Sequence, residues 1–266
     1  MRVLTILLTA FLVSCYIPSL CAEPNKRELL IGISFSIPPY VIKELNSGLE
    51  LEILRQVFKV NGYTVLPSYL PLARTFMHFQ EGSIDGVINV KKGMVKGFYT
   101  DVVVIFKNYA VSLQERQLEI NNIQALSNKS VGAFQRAKSI LGTNFHNAVQ
   151  NNSNYSEWAD QSIQLKQLYK YRVEVIVLEQ KIFKYYRKKL FDRSLVLGGQ
   201  YFISQSELRK PVIFHDIFTP SEYRFAFISE QVRDHFNEGL RLIKKNGVYD
   251  NIMKKYAEDF SLPLAP

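Results

Sequence analysis

The chain has 266 residues, of which 47% are hydrophobic and 21% charged. That is the make-up of a folded globular protein long enough for one large domain or two small ones, and it excludes extensive disorder. The formal charge of +9 would draw anions or anionic surfaces, and with cysteine confined to Cys15 and Cys21, a chain cut after residue 22 has no disulfide, thiol nucleophile or cysteine metal site.

Residues 1–22 read as a secretory signal peptide: Arg2, an apolar run over 3–13 too short to span a bilayer, Pro18, and the small residue Ala22. Two ends to the signal are open, cleavage after Ala22 or lipid attachment at Cys15 within Leu12-Val13-Ser14-Cys15. Cleavage is preferred because the apolar run before Cys15 is brief. Removing Arg2, the one charged residue in the segment, leaves +8. Export argues against nucleic acid as a partner.

Residues 29–54 come next and organise the remainder. A buried strand is expected over 30–34, then a turn, Pro38-Pro39-Tyr40, then a polar connection closed by Gly48 and a helix opening at Glu50. The two prolines fix the backbone and hold Tyr40 in a defined direction. In an α/β protein the loop after a strand faces the crevice where ligands sit, so this stretch forms one wall of a site. Helical apolar spacing over 51–60 stops at Asn61-Gly62. A strand over 63–69, a helix over 72–80 and a strand over 84–90 complete a β-α-β-α-β run, which predicts a parallel sheet.

The polar stretch 91–97 reads as a loop, and 102–113 as one long strand passing from a first lobe to a second. A second alternation follows, with strands over 130–134 and 173–178 and helices near Ser139, over 161–171 and over 179–189. An Asn-rich loop is expected over 147–154. The basic run from Lys181 to Lys189 suits an exposed amphipathic helix with Ile182, Phe183 and Tyr186 on its other face. Trp158 is expected to pack within its lobe. Residues 223–228 read as a strand, and 229–256 as two helices parted at Asn246-Gly247.

The following motifs carry a resemblance: Pro38-Pro39-Tyr40 with Gly48-Leu49-Glu50; Gly82-Ser83-Ile84-Asp85; Phe98-Tyr99-Thr100-Asp101; Leu126-Ser127-Asn128-Lys129-Ser130-Val131-Gly132; Arg172-Val173-Glu174 through Glu179; and Lys245-Asn246-Gly247-Val248-Tyr249. In their order and spacing the chain resembles the bacterial periplasmic solute-binding proteins of the polar amino-acid type, family 3. The resemblance implies a two-lobed α/β fold of the type II periplasmic-binding-protein kind, with two crossing strands as hinge. Lobe I would take 23–112 and 224–266, and lobe II 113–223. It also implies a periplasmic protein that captures an amino acid or related anionic metabolite for an inner-membrane ABC permease. Such a protein acts as a monomer, without cofactor or metal.

The resemblance places Glu179 where the family holds an α-ammonium, as Glu rather than the usual Asp. The family's carboxylate contacts are missing: Asn89-Val90-Lys91-Lys92-Gly93 stands in place of a Thr-x-x-Arg element, and Gln135-Arg136-Ala137-Lys138 in place of a Gly-Thr pair. Lysine supplies charge without the planar grip of a guanidinium. The expected ligand-binding set is therefore Tyr40 as an aromatic lid, Phe35, Arg74, Asn89, Arg136 and Glu179, with Glu50 capping its helix. Two other functions compete. One is an exported enzyme, since a few proteins of this fold are dehydratases; the other is a sensory protein acting through a membrane receptor. Catalysis finds little support, because His78, His146, His215 and His235 are scattered with no metal spacing or paired nucleophile.

Overall fold

The computed structural model describes residues 27–34, 37–197 and 203–262. The expected signal segment, both cysteines and the candidate Phe35 lie outside the described residues. Strand β1 (Arg27–Ile33), helix α1 (Leu49–Val60), β2 (Tyr63–Tyr69), α2 (Leu72–Gln80) and β3 (Gly86–Val90) follow the expected alternation. Their strands are parallel, β1 pairing with β2 from Arg27↔Tyr63 to Ile33↔Tyr69 and with β3 at Ile31↔Gly86. The short β4 (Phe98–Tyr99) and β5 (Val104–Phe106) come next.

The chain then enters a second sheet with β6 (Asn108–Leu113), β7 (Val131–Phe134), the short helix α3 (Ala137–Ile140), α4 (Thr143–Val149) and β8 (Tyr155–Trp158). Helix α5 (Gln161–Tyr169), β9 (Val175–Glu179), α6 (Gln180–Leu197), α7 (Gln205–Leu208) and β10 (Val212–His215) complete it. Strand β11 (Ser221–Phe227) returns to the first sheet, and α8 (Glu230–Lys245) and α9 (Val248–Glu258) follow. The first sheet runs β2-β1-β3-β11-β4 with β5 on β11, and the second runs β10-β6-β9-β7-β8. Each sheet with its helices makes one lobe. Among the described residues no helix is long and apolar enough to cross a membrane.

Three differences from the sequence reading have physical causes. The apolar stretch 102–113 is two strands rather than one, because β5 pairs with β11 in the first sheet while β6 pairs with β9 and β10 in the second. The first passage between sheets therefore falls at Lys107, ahead of residue 112, and the second spans 216–220. Lys107 Nζ reaches Asp216 Oδ2 at 2.5 Å, so an ion pair clasps the two passages. The Asn-rich segment is partly helical: Phe145, Ala148 and Val149 bury a stripe that carries Asn144 and Asn147 into α4. Finally, β8, β10 and α7 were not anticipated from the sequence.

Both sheets are covered on two faces, which is why β9 is one continuous apolar run. Ile176 and Leu178 face a cluster that also holds Leu54, Phe58 and Phe236, while Val175 and Val177 face another built on Phe145 and Val131. The resemblance motifs turn out to be joints of these lobes. Asp85 accepts the Leu30 N–H at 2.7 Å, Glu174 accepts the Ser130 N–H at 2.8 Å, and the Thr100 hydroxyl oxygen accepts the Phe225 N–H at 3.1 Å. Trp158 packs as expected, its ring lying where a Cβ on Gly132 would stand 2.3 Å away.

Helices α1 and α8 approach closely at Gly239, where a Cβ would come within 2.6 Å of the Val57 carbonyl oxygen. Backbone cannot yield as a flexible side chain can. Gly239→Ala is expected to destabilise the fold by about 1–3 kcal/mol, read as a lower urea midpoint with an unchanged m-value.

Candidate functional site

The loop after β1 folds back on the start of α1. The Tyr40 and Val41 N–H groups donate to the Ile37 carbonyl, at 2.8 and 3.1 Å. The first N–H groups of a helix have no partner within it; here Leu49 and Glu50 donate theirs to the Pro39 and Tyr40 carbonyls, both at 3.0 Å. Gly48 makes this return possible. Its φ is +128°, and a Cβ there would sit 2.4 Å from the Tyr40 carbonyl oxygen.

The Tyr40 ring, so positioned, stacks on Phe106 at 4.1 Å between centroids, and Phe106 in turn meets Tyr223 at 4.8 Å. Phe106 ends β5 and Tyr223 lies in β11, so the stack sits where the chain passes between lobes. Tyr40 is 1% exposed. It is a buried member of the lobe junction rather than the aromatic lid expected from sequence. Its hydroxyl lies close to Glu179 and under the influence of Glu50, yet makes no well-formed hydrogen bond. Burial, then the charges of Glu179 and Glu50, push the phenol well above its ordinary range.

Glu179 closes β9, opposite Asn108 at the start of β6. It is 3% exposed, and its Oε2 accepts the N–H groups of Lys181 and Ile182 at 2.6 and 3.1 Å. Lys181 Nζ stands 3.8 Å from Oε1. Burial raises the Glu179 pKa, and the lysine and the two N–H groups pull it back. Glu179 thus opens α6 and faces the other lobe at once.

Glu50 is the residue that sequence reasoning misplaced. Expected to cap its helix, it is instead 0% exposed, and neither carboxyl oxygen makes a well-formed hydrogen bond, with the Asn89 side chain beside them. Burial lifts its pKa to about 8, against a smaller lowering by the Asn89 side chain, so the site favours the neutral carboxyl. The signal was present in the sequence. Glu50, Ile53, Leu54 and Val57 share one helical face, and a lone acid in an apolar stripe is a buried acid.

Asn89, at the end of β3, is buried beside Glu50 with φ +57°, a left-handed conformation that asparagine tolerates better than most residues. A shift in the β3–β11 register between Arg224 and Ala226 accompanies it. Of the expected set, then, Tyr40, Asn89 and Glu179 come together, joined by Glu50, Phe106 and Tyr223, which the sequence reading did not assign to the site.

The remaining cations lie elsewhere. Arg74 is exposed on the first turn of α2, and among the described residues no hydrogen bond or ion pair joins it to Tyr40, Glu50 or Glu179. Arg136 is exposed with φ +66°; its N–H and that of Lys138 donate to Glu157 at 2.6 and 3.0 Å. That loop is therefore occupied by a carboxylate of the protein's own. Lys91 donates to the Ser221 hydroxyl at 3.2 Å and lies over the Tyr223 ring. No group of three or more His, Cys, Asp or Glu is placed to hold a metal ion among the described residues.

No family model and no curated protein matches the sequence. Solved structures do. The GluR0 ligand-binding core in complex with L-glutamate aligns with a TM-score of 0.66 at 14% identity, over 88% of this chain and 99% of that one. A histidine kinase sensor domain with similarity to periplasmic binding proteins gives 0.63 at 15%, over 88% and 97%. A substrate-binding protein of an ABC uptake transporter from Streptococcus pneumoniae, with bound histidine, gives 0.59 at 16%, over 89% and 95%. These define the fold: two α/β lobes of the periplasmic-binding-protein-like class.

Two outcomes test the junction. Because the Tyr40 hydroxyl makes no well-formed hydrogen bond, Tyr40→Phe should change stability by less than about 1 kcal/mol, whereas Tyr40→Ala, which removes a stacked ring, should cost about 3–5 kcal/mol; chemical denaturation distinguishes them. For Glu50, the folded carboxyl keeps between pH 4.5 and about 8 a proton that the unfolded chain releases. Its contribution to stability therefore falls as pH rises through that window, by up to roughly 1.4 kcal/mol per unit. Glu50→Gln should flatten this dependence, gaining on the wild type from pH 5 to pH 8 in paired melting curves.

Proposed function

We propose that the chain is an exported solute-binding protein, related to family 3, that captures a small polar solute between its lobes for delivery to an ABC permease in the inner membrane. The observation that carries this reading is the meeting of Glu179, from the second lobe, with Tyr40, from the first, at the passage between them. A solute touching both shifts the lobes toward closure by its differential affinity for the closed state. The fold supports the reading, since similar structures include an ABC transporter's substrate-binding protein with bound histidine.

On this reading the lobes divide at Lys107 and within 216–220, a few residues from the division expected from sequence, and the Lys107–Asp216 ion pair keeps the two passages in register. Tyr40, Asn89 and Glu179 bind the solute, and Arg74 and Arg136 stay at the periphery. Export by residues 1–22, with cleavage after Ala22 or a lipid on Cys15, places the protein outside the cytoplasm as a monomer.

A thermal-shift screen of the mature protein against amino acids, amines and small carboxylates tests this. A true ligand at a hundred times its Kd stabilises by about 2.7 kcal/mol and should raise the melting temperature by several degrees, with compaction in small-angle scattering. Glu179→Gln should weaken an ammonium-bearing ligand at least tenfold. If no solute moves the melting temperature or the scattering curve, the protein is not a solute-binding protein.

A further inference from the structure

We infer that the solute is an amine cation bound without need of an α-carboxylate, and that Glu50 is the second acid that recognises it, across Tyr40 from Glu179. The inference rests on the solute-binding reading above and narrows its ligand.

The donors and acceptors at the junction decide the sign of the ligand. Both Glu50 oxygens and the Tyr40 hydroxyl are buried without a well-formed hydrogen bond, with Asn89 beside Glu50, and Glu50 and Glu179 both act on that hydroxyl. An ammonium offers three donors and no acceptor, matching what these groups lack. The faces of Tyr40, Phe106 and Tyr223 line the same place and suit a cation. With the Tyr40 ring turned off Phe106, an ammonium takes the position of its hydroxyl between the two acids. Glu50 then gives up its proton to solution and binds as the carboxylate.

A carboxylate finds nothing comparable. Lys91 is tied to Ser221 and Tyr223, Lys181 stands at Glu179, Lys107 pairs with Asp216, and the Arg136 and Lys138 N–H groups hold Glu157. Arg74 is exposed and, among the described residues, joined to Tyr40, Glu50 or Glu179 by no hydrogen bond or ion pair. An α-amino acid would bring its carboxylate toward two acids at a junction whose neighbouring cations are already engaged, and a desolvated charge left unpaired is costly.

Titration calorimetry on matched pairs that differ by the α-carboxylate alone tests this: agmatine against arginine, cadaverine against lysine, and 2-phenylethylamine against phenylalanine. The expected result is at least one amine binding ten times or more tighter than its amino acid, with Glu50→Gln losing at least tenfold in affinity for it while still unfolding cooperatively. If Glu50→Gln does not fold, release of the Glu50 proton should still appear as a binding enthalpy that changes with the buffer at pH 7. An amino acid binding as tightly as its amine, a ligand that proves to be a carboxylate or neutral solute, an amine indifferent to Glu50→Gln, or an enthalpy independent of buffer each overturns the inference and leaves the solute-binding reading standing. Failure of every compound here and in the wider screen overturns that reading, and the inference with it.

Discussion

The arrangement depends on the stack of Tyr40, Phe106 and Tyr223. Each ring belongs to a different segment: the loop after β1, the strand that leaves the first lobe, and the strand that returns to it. Packing them at 4.1 and 4.8 Å fixes the loop against both passages, so the wall of the site and the hinge are one structure. The loop holds its part through backbone bonds. The Pro39 and Tyr40 carbonyls receive the first N–H groups of α1, and Gly48 provides the left-handed turn that lets them meet. The first N–H groups of the helix are taken up by the protein's own turn.

What this packing encloses is unusual for a protein interior. Glu50 lies in it with neither oxygen in a well-formed hydrogen bond, and such a group is tolerated because it sheds its charge; burial raises its pKa to about 8. Glu179 keeps more of its interactions, since two N–H groups and a lysine attend it. The two acids are thus held in different environments on either side of one phenol. Strain and unsatisfied polarity of this kind concentrate at functional sites, and here they coincide with the junction of the lobes, where the fold brings distant segments together.

The surrounding motifs do different work. Asp85, Glu174 and Thr100 stand out in the sequence as an ordered series, and in the structure each bonds to a neighbouring backbone N–H within its own lobe. A resemblance carried by such joints speaks for the architecture and leaves the ligand open. The segments that would specify a ligand are those that depart from the pattern: Lys91 turned to the hinge strand, and Arg136 with its N–H on Glu157.

The sequence by itself determined the alternation of elements, the parallel start of the first sheet and the helices of the C-terminal segment. Those follow from short-range rules, apolar period and stop signals such as Asn61-Gly62 and Asn246-Gly247, which act within a few residues. It also carried Glu50 in plain view, on the same face as Ile53, Leu54 and Val57. Tertiary structure alone decided that 102–113 breaks between two sheets at Lys107, that Tyr40 is buried against Phe106, and that Asn89 and Glu50 lie side by side. Those contacts join residues dozens of positions apart. Apolar periodicity says that a strand or a helix face is buried, and it cannot say in which sheet or beside which distant residues.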